Sequence, residues 1–407
     1  MAEDALRAAE ASARDAYGRL LARLALRARD IDTAEDALSD AFADALRAWP
    51  RDGVPRNPEA WLLTAARRRL LDGARREGAR RRLSEAAAAL LAATEQPMPG
   101  DTPFADERLE MMFLCAHPAL SQEVRAPLML QVVLGFDAAA IGSVFLVPPS
   151  TMGQRLVRAK ARIRDSGMRF ERPSGSELAE RLPFVLDAVY AAYGAAWEDA
   201  APGGGGGLGG EALALAEVAA EHLPGEAEAK GLLALILYCE SRRRARRSEG
   251  GEFVPVSEQD AALWDRGAHQ RAEGLLRDAA RLGRPGRYQT EAAIQSALMA
   301  RAFGPPADSA MVAALHDALL RTEISAGAWV ARAAARGAAF GPGAGLAALE
   351  AGGPAGLADY QPYWAVRADL LARAGRREEA ERAYERAAGL ATDPAVRRFL
   401  RRRGGIG

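Results

Sequence analysis

The chain has 407 residues, with 54 basic side chains, 54 acidic side chains and two cysteines, a length that suits about two or three domains. Because neither residues 1–172 nor the remainder is basic overall, the balance excludes a generally cationic nucleic-acid binder, and any DNA contact must come from local stripes. Ala, Leu, Arg and Glu dominate, which predicts an all-α fold. No secretory signal and no membrane-spanning apolar run is evident, so we expect a cytoplasmic protein with reduced thiols.

The first 85 residues predict three helices of contrasting charge. An amphipathic helix over 3–28 precedes an acidic helix over 30–46 that contains six acids and no base. We expect Asp32 or Thr33 to cap this second helix and Trp49-Pro50 to end it.

The third predicted helix, Glu59 to Arg76, begins apolar and ends basic. Residues 67–82 hold eight arginines against two acids. Such a density of like charge costs stability unless phosphates or acidic partners offset it.

An Ala-rich and then Pro/Gly-rich linker over 86–105 separates this part from predicted helices at 106–116 and 121–134. Cys115 and His117 suggest a metal only weakly, because no second pair stands at ligand spacing; a core or loop role is favoured for both.

The next stretch predicts two helices joined by a sharp turn. A short apolar helix over 136–145 is broken at Pro148-Pro149, and Ser150 is expected to cap a basic helix over 150–164. The second helix has an apolar face consisting of Met152, Leu156, Ala159 and Ile163. Its polar face favours a helix-turn-helix that places Thr151, Gln154 and Arg155 at base edges of the major groove. An ordinary helical hairpin with a solvated basic face is the alternative from this stretch alone.

After a linker at 171–176, residues 177–407 predict a helical-hairpin array. We expect helices at about 177–197, 211–222, 226–241, 257–282, 287–302, 308–321, 326–338 and 343–351. In the final pair, Trp364, Ala368, Leu371, Ala380, Tyr384 and Ala387 have the spacing of a tetratricopeptide helix pair. The glycine run at 203–210 is expected to form a surface loop, since it lacks the strand, Lys and Ser/Thr of a phosphate loop.

The chain resembles a bacterial extracytoplasmic-function (ECF) sigma-70 factor. The resemblance rests on the order of four features, which are the acidic helix, RAWPRDGVPRNPEAWLLTAARRRLLDGARR, HPALS and FLVPPSTMGQRLVRAKARIR. GRPGRYQTEAAI and the closing ADLLARAGRREEAERAYERAAGLATDPAVRRFL resemble the ECF group with a tetratricopeptide-like C-terminal extension. The resemblance implies a region 2 domain over 1–85, a region 4 helix-turn-helix domain over 106–170 and a helical C-terminal domain over 177–407. It also implies a dissociable polymerase subunit with no enzymatic activity and no cofactor.

The resemblance implies two partners, promoter DNA and core RNA polymerase through its β′ clamp helices and β flap, and it leaves room for a protein ligand of the C-terminal domain. The residues implied to bind polymerase are Asp32, Glu35, Asp36, Ser39, Asp40 and Phe42. Those implied to meet the −10 element are Trp61, Arg67, Arg68, Arg75 and Arg76. Those implied to meet the −35 element are Ser150, Thr151, Gln154, Arg155, Arg158 and Lys160.

Two other classes stay open at this point. One is a conventional helix-turn-helix regulator with a tetratricopeptide sensor. Such a regulator would not need residues 30–82, so the presence of this stretch favours a sigma factor over it. A protein-interaction scaffold with a vestigial helix-turn-helix is the third reading. An enzyme is least favoured, because no nucleophile–base pair, phosphate loop or metal cluster is evident.

Overall fold

A computed structural model describes residues 16–80, 106–145, 147–166, 173, 175–198, 208–322 and 324–405. Within these ranges the chain is helical, with no β-strand and a single isolated bridge between Arg247 and Phe253. The predicted all-α class is confirmed. The chain divides between His222 and Leu223 into two compact units.

The first unit contains nine helices within its described residues. They are α1 (16–28), α2 (Ile31–Asp52), α3 (Pro58–Arg80), α4 (Glu107–Cys115), α5 (Gln122–Leu134), α6 (Ala138–Val144), α7 (Pro149–Asp165), α8 (Gly175–Glu198) and α9 (Leu208–His222). Residues 1–15, the predicted linker at 86–105 and residues 203–207 of the glycine run lie outside the described residues. The predicted loop over 203–210 is wrong at its end, because α9 already begins at Leu208.

The second unit continues with α10 (Ala227–Ser241), α11 (Arg266–Arg281), α12 (Arg287–Met299), α13 (Ser309–Thr322), α14 (Ala326–Phe340), α15 (Pro342–Glu350), α16 (Gln361–Arg373), α17 (Arg377–Leu390) and α18 (Pro394–Gly404). The predicted helix over 257–282 is wrong in its first third. Short 3₁₀ turns at Val256–Glu258 and Ala261–Leu263 occupy that stretch, and α11 starts only where the Asp265 side chain accepts a hydrogen bond from the Ala268 N–H.

The acidic helix α2 packs on α3 through a stripe of small and large apolar residues that includes Ala34, Leu38 and Trp49, all buried. Two predictions about its ends are wrong. Its cap is Asp30, whose carboxylate accepts from the Asp32 N–H at 3.1 Å. Pro50 lies inside the last turn and the helix runs to Asp52; it ends at Gly53, which has φ +85°.

The predicted helix-turn-helix is confirmed as α6 and α7, which pack on each other. Met152, Leu156, Ala159 and Ile163 are all buried, as predicted from their spacing. Ser150 does not cap α7, because the helix already begins at Pro149, a position where proline's missing N–H costs nothing. The turn is tight: a Cβ on Gly142 would lie 2.5 Å from the Val147 carbonyl oxygen.

The predicted tetratricopeptide-like pair is α16 and α17. Ala368, Leu371 and Ala387 are buried between them, and α18 packs on α17 from the other side. Small residues also set the packing of α14 on α15, where a Cβ on Gly345 would lie 2.9 Å from the Ala333 carbonyl oxygen and 2.9 Å from the Gly337 Cα.

We therefore expect Gly345→Ala to destabilise the C-terminal unit by about 1–3 kcal/mol, the usual cost of overpacking, even though Ala favours helix by about 1 kcal/mol. Gly343→Ala is the matched control, since a Cβ there meets nothing within 4 Å. Thermal unfolding of the full chain measures both variants, and a Gly345→Ala protein as stable as Gly343→Ala would contradict this close packing.

Candidate polymerase- and promoter-binding surfaces

The outer face of α2 carries the residues that the sequence assigns to polymerase binding. Asp36, Ser39 and Asp40 are exposed, whereas Asp32 and Glu35 are partly covered. Phe42 is half-buried and stacks on Tyr17 of α1, with ring centroids 6.5 Å apart. One strip of α2 thus combines exposed carboxylates with an aromatic edge.

Part of this acidic helix is neutralised from within. Arg69 of α3 lies 2.7 Å from Asp44 and 3.9 Å from Asp40. Hydrogen bonds from Arg69 and then from Arg47 lower the pKa of the Asp44 carboxyl. Asp40 therefore has a basic partner on the neighbouring helix, while Asp36 has no ion pair among the described residues.

The N-terminal half of α3 is held by α2 through an aromatic pair. Asn57 accepts a hydrogen bond from the Ala60 N–H at 3.0 Å and so fixes the start of the helix. Trp61 is half-buried against Trp49, edge to face at 5.6 Å. Arg68 is exposed two turns further on. Trp61 and Arg68 are therefore available on the surface of a rigid helix.

Arg67 lies in a cluster of like charges. Burial and the nearby Arg27 and Arg23 of α1 lower the pKa of its guanidinium, and its Nε is buried without a hydrogen-bond partner. A phosphate would relieve both the repulsion and the unmet donor. The α1 arginines were not predicted to belong to this cluster, although Arg19, Arg23 and Arg27 recur at the four-residue spacing that places them on one face of a helix. The side chains of Arg75 and Arg76 lie outside the described residues.

The exposed face of α7 brings together most of the residues assigned to base reading. Ser150, Thr151, Gln154 and Arg158 are exposed, and Arg158 donates to the Gln154 side-chain oxygen at 3.3 Å. Arg155 is partly covered and lies 3.6 Å from Glu123 of α5. A shallow groove between α5 and α7 is lined by Arg155, Arg158 and Arg162.

Lys160 lies on a different side of α7. Its Nζ is 2.6 Å from Glu35 and 3.1 Å from Asp32 of α2, and its side chain is only 10% exposed. Burial would lower the pKa of this amine, but the hydrogen bonds and charges of Glu35 and Asp32 outweigh it and raise the pKa. Arg164, one turn later, reaches Asp32 at 3.2 Å. The structure thus brings together Lys160, assigned to DNA, and two carboxylates assigned to polymerase.

Cys115 is fully buried in α4, and burial raises the pKa of its thiol. No group of His, Cys, Asp and Glu residues suited to a metal ion occurs within the described ranges. No helix in the described part of the chain is long and apolar enough to cross a membrane.

Comparison with known proteins bears directly on these surfaces. The profile of sigma-70 region 2 matches residues 14–80, which contain α2 and α3. The profile of sigma-70 region 4 matches residues 110–163, which contain the helix-turn-helix. A family of unknown function, DUF6596, matches residues 181–280. No solved structure matches the chain at a significant level.

A curated relative, an uncharacterized protein of Rhizobium meliloti strain 1021, is 35% identical over 380 residues, which cover 92% of this chain and 89% of the relative. The similarity to this relative therefore extends along nearly the whole length of both chains. Nothing in these comparisons supports a conventional regulator. The chain belongs to the sigma-70 family, as an RNA polymerase sigma factor of the extracytoplasmic-function type with a C-terminal extension domain, and its partners are core RNA polymerase and promoter DNA.

Proposed function

We propose that this sigma factor docks on the β′ clamp helices through α2, reads and melts the −10 element with α3, and reads the −35 element with α7, whose domain also meets the β flap. The observation that carries this assignment is the segregation of charge: exposed carboxylates, Asp36 and Asp40, lie on α2, while exposed arginines lie on α3 and α7. It acts as a binding subunit in the cytoplasm rather than as an enzyme.

The α2 surface suits a basic protein partner better than DNA. Its exposed acids would repel phosphate, and the half-buried Phe42 offers an apolar contact beside them. Charged groups around an apolar centre are the usual anatomy of a protein interface. Asp36 and Ser39 are exposed, and we assign them to the polar surround of the Phe42 contact.

The α3 and α7 surfaces suit nucleic acid in two different ways. On α3, Trp61 and Arg68 present flat side chains beside the Arg67 cluster, which favours unstacked bases and phosphates. On α7, Gln154 and Arg155 are side chains that make bidentate contacts with base edges. Domain boundaries near residues 85, 106 and 177 follow from the same assignment, although the compact first unit continues to His222.

The C-terminal domain is proposed to tune the sigma domains in cis. Its last helices bury an apolar cluster around Leu370, Leu371 and Leu400, so they form a packed hairpin array, and we propose that this array binds a protein ligand.

Asp36→Arg should weaken binding to core RNA polymerase by on the order of 1–2 kcal/mol, because it reverses a charge in a polar interface. Asp36 has no ion pair in the described part of the chain, so the fold should be unchanged. Glu385→Arg, an equivalent reversal on an exposed position of α17, should leave binding intact. Fluorescence titration with core enzyme compares the two, and a loss of helicity in Asp36→Arg would instead indicate a structural role.

Arg155→Ala should reduce use of the cognate −35 sequence by roughly 1–3 kcal/mol while leaving affinity for altered sequences almost unchanged, as expected for a base-edge contact. Arg158→Ala should weaken binding evenly across sequences, as a phosphate contact would. Holoenzyme binding to matched and altered promoters separates these outcomes. Equal, sequence-independent losses for both variants would reduce α7 to a positioning helix.

Deleting the chain from Tyr360 onward should change transcription from the cognate promoter while leaving the first unit folded. The deletion removes α16 to α18, which pack mainly on one another and on α14 and α15. Reconstituted transcription with core enzyme, with and without cell extract, measures the effect. Equal activity of the truncated and full chains under both conditions would exclude regulation by this end.

A further inference from the structure

The helices of the two sigma domains lie directly against each other in the first unit. Lys160 of α7 donates to Glu35 of α2 at 2.6 Å and also lies 3.1 Å from Asp32. Arg164 extends the contact to Asp32 at 3.2 Å. The side chains of Lys160 and Glu35 are only 10% and 20% exposed, so these ion pairs are largely withdrawn from solvent.

A second contact joins the domains without any charge. Gly18 of α1 crosses the end of α5 so closely that a Cβ there would lie 1.7 Å from the Val133 carbonyl oxygen. Two residues beyond Val133, a Cβ on Gly135 would lie 3.3 Å from the Tyr17 ring. Backbone approach of this kind requires glycine, so the crossing of α1 over α5 is a specific fit.

Ion pairs at the rim complete the interface. Arg23 of α1 lies 3.3 Å from Glu107 of α4. Arg19 lies 2.8 Å from Glu59 in its own domain and 4.0 Å from Glu211 of α9. The region 2 helices therefore contact α4, α5, α7 and α9 at separate points.

This arrangement cannot engage a whole promoter. Elements centred near −10 and −35 are about 25 base pairs apart, which is roughly 85 Å of B-form DNA at about 3.4 Å per base pair. The helices proposed to read them, α3 and α7, have 23 and 17 residues and are thus about 35 Å and 26 Å long. Both contact α2, so their reading faces lie far closer together than the two elements.

We propose that the polymerase-binding surface of α2 is occupied, in the free chain, by the protein's own promoter-reading helix α7, and that the two domains must separate before either surface is used. The proposal rests on the function assigned above to α2 and α7. Asp32 and Glu35 are the residues for which the clamp helices and α7 compete. The occupant is settled by charge complementarity, since Lys160 and Arg164 supply the cations that the acidic strip requires.

The chain has two lysines, Lys160 and Lys230. Amine labelling followed by mass spectrometry therefore measures how accessible Lys160 is, and so whether it is paired with Glu35 and Asp32. We expect Lys160 of the wild-type protein to be protected, and Gly18→Ala to raise its labelling rate at least about threefold by forcing α1 away from α5. Lys230 in the second unit should label at the same rate in both proteins. Gly194→Ala in α8 is the matched control, since a Cβ there meets nothing within 4 Å. In this variant Lys160 should be labelled as slowly as in the wild type.

The same Gly18→Ala protein should bind core RNA polymerase at least about threefold more tightly, because apparent affinity falls with the fraction of binding-competent molecules. Gly18 belongs to neither proposed binding surface. Equal Lys160 labelling in Gly18→Ala and the wild type, with normal core binding, overturns the closed contact and leaves the proposed function standing. Faster labelling with no core binding by either protein supports the closed contact and overturns the proposed function of α2.

A charge exchange tests the interface without touching the backbone. Glu107→Arg places a cation against Arg23 and should also expose Lys160 to labelling, while the double variant Arg23→Glu with Glu107→Arg should restore protection. Restoration by the exchange excludes general unfolding of α4 as the cause. Unchanged Lys160 protection in a folded Glu107→Arg protein would contradict the interface.

Discussion

The carboxylates of α2 are the constraint on which the first unit depends. Its first turns present Asp32 and Glu35, and its later turns present Asp40 and Asp44. The latter pair is matched by Arg69 of α3, which fixes the region 2 hairpin, and the former pair by Lys160 and Arg164 of α7. An exposed ion pair is only weakly stabilising. Lys160 and Glu35, however, are largely buried, and a buried charge without a partner is costly. The acidic helix therefore dictates which basic helices lie beside it.

Much of this fold follows from local sequence. The apolar spacing of Met152, Leu156, Ala159 and Ile163 fixes the buried face of α7, because a 3.6-residue period allows only one core-facing stripe. The small-residue spacing of Ala368, Ala380 and Ala387 predicts the last hairpin for the same reason. Helix ends are less well determined. Pro50 is accommodated in a last turn that continues to Asp52, and Asp30, predicted as the first helical residue, is the cap.

The relations between distant elements could not be read from the sequence. Nothing local in Gly18 indicates that it crosses Val133, more than a hundred residues later, since a glycine inside a helical pattern ordinarily reads as a small defect. The pairing of Lys160 with Glu35 is hidden for the same reason, as either residue alone suits a solvated face. The sequence predicts the sign of the charge on α2, α3 and α7. Which of these charges form ion pairs with one another depends on the folded chain.

The contacts of Gly18 with Val133 and of Lys160 with Glu35 join two domains of a single polypeptide. The rate and extent at which this interdomain contact forms therefore do not depend on protein concentration. Docking on polymerase is bimolecular and grows with the supply of free core enzyme. The interdomain contact and docking on polymerase compete, so there is a concentration of free core enzyme below which the two sigma domains stay in contact with each other. Its occupancy of polymerase is then governed by how much core enzyme other sigma factors leave unclaimed, and between rounds of initiation its acidic and basic helices shield each other from unrelated proteins and DNA.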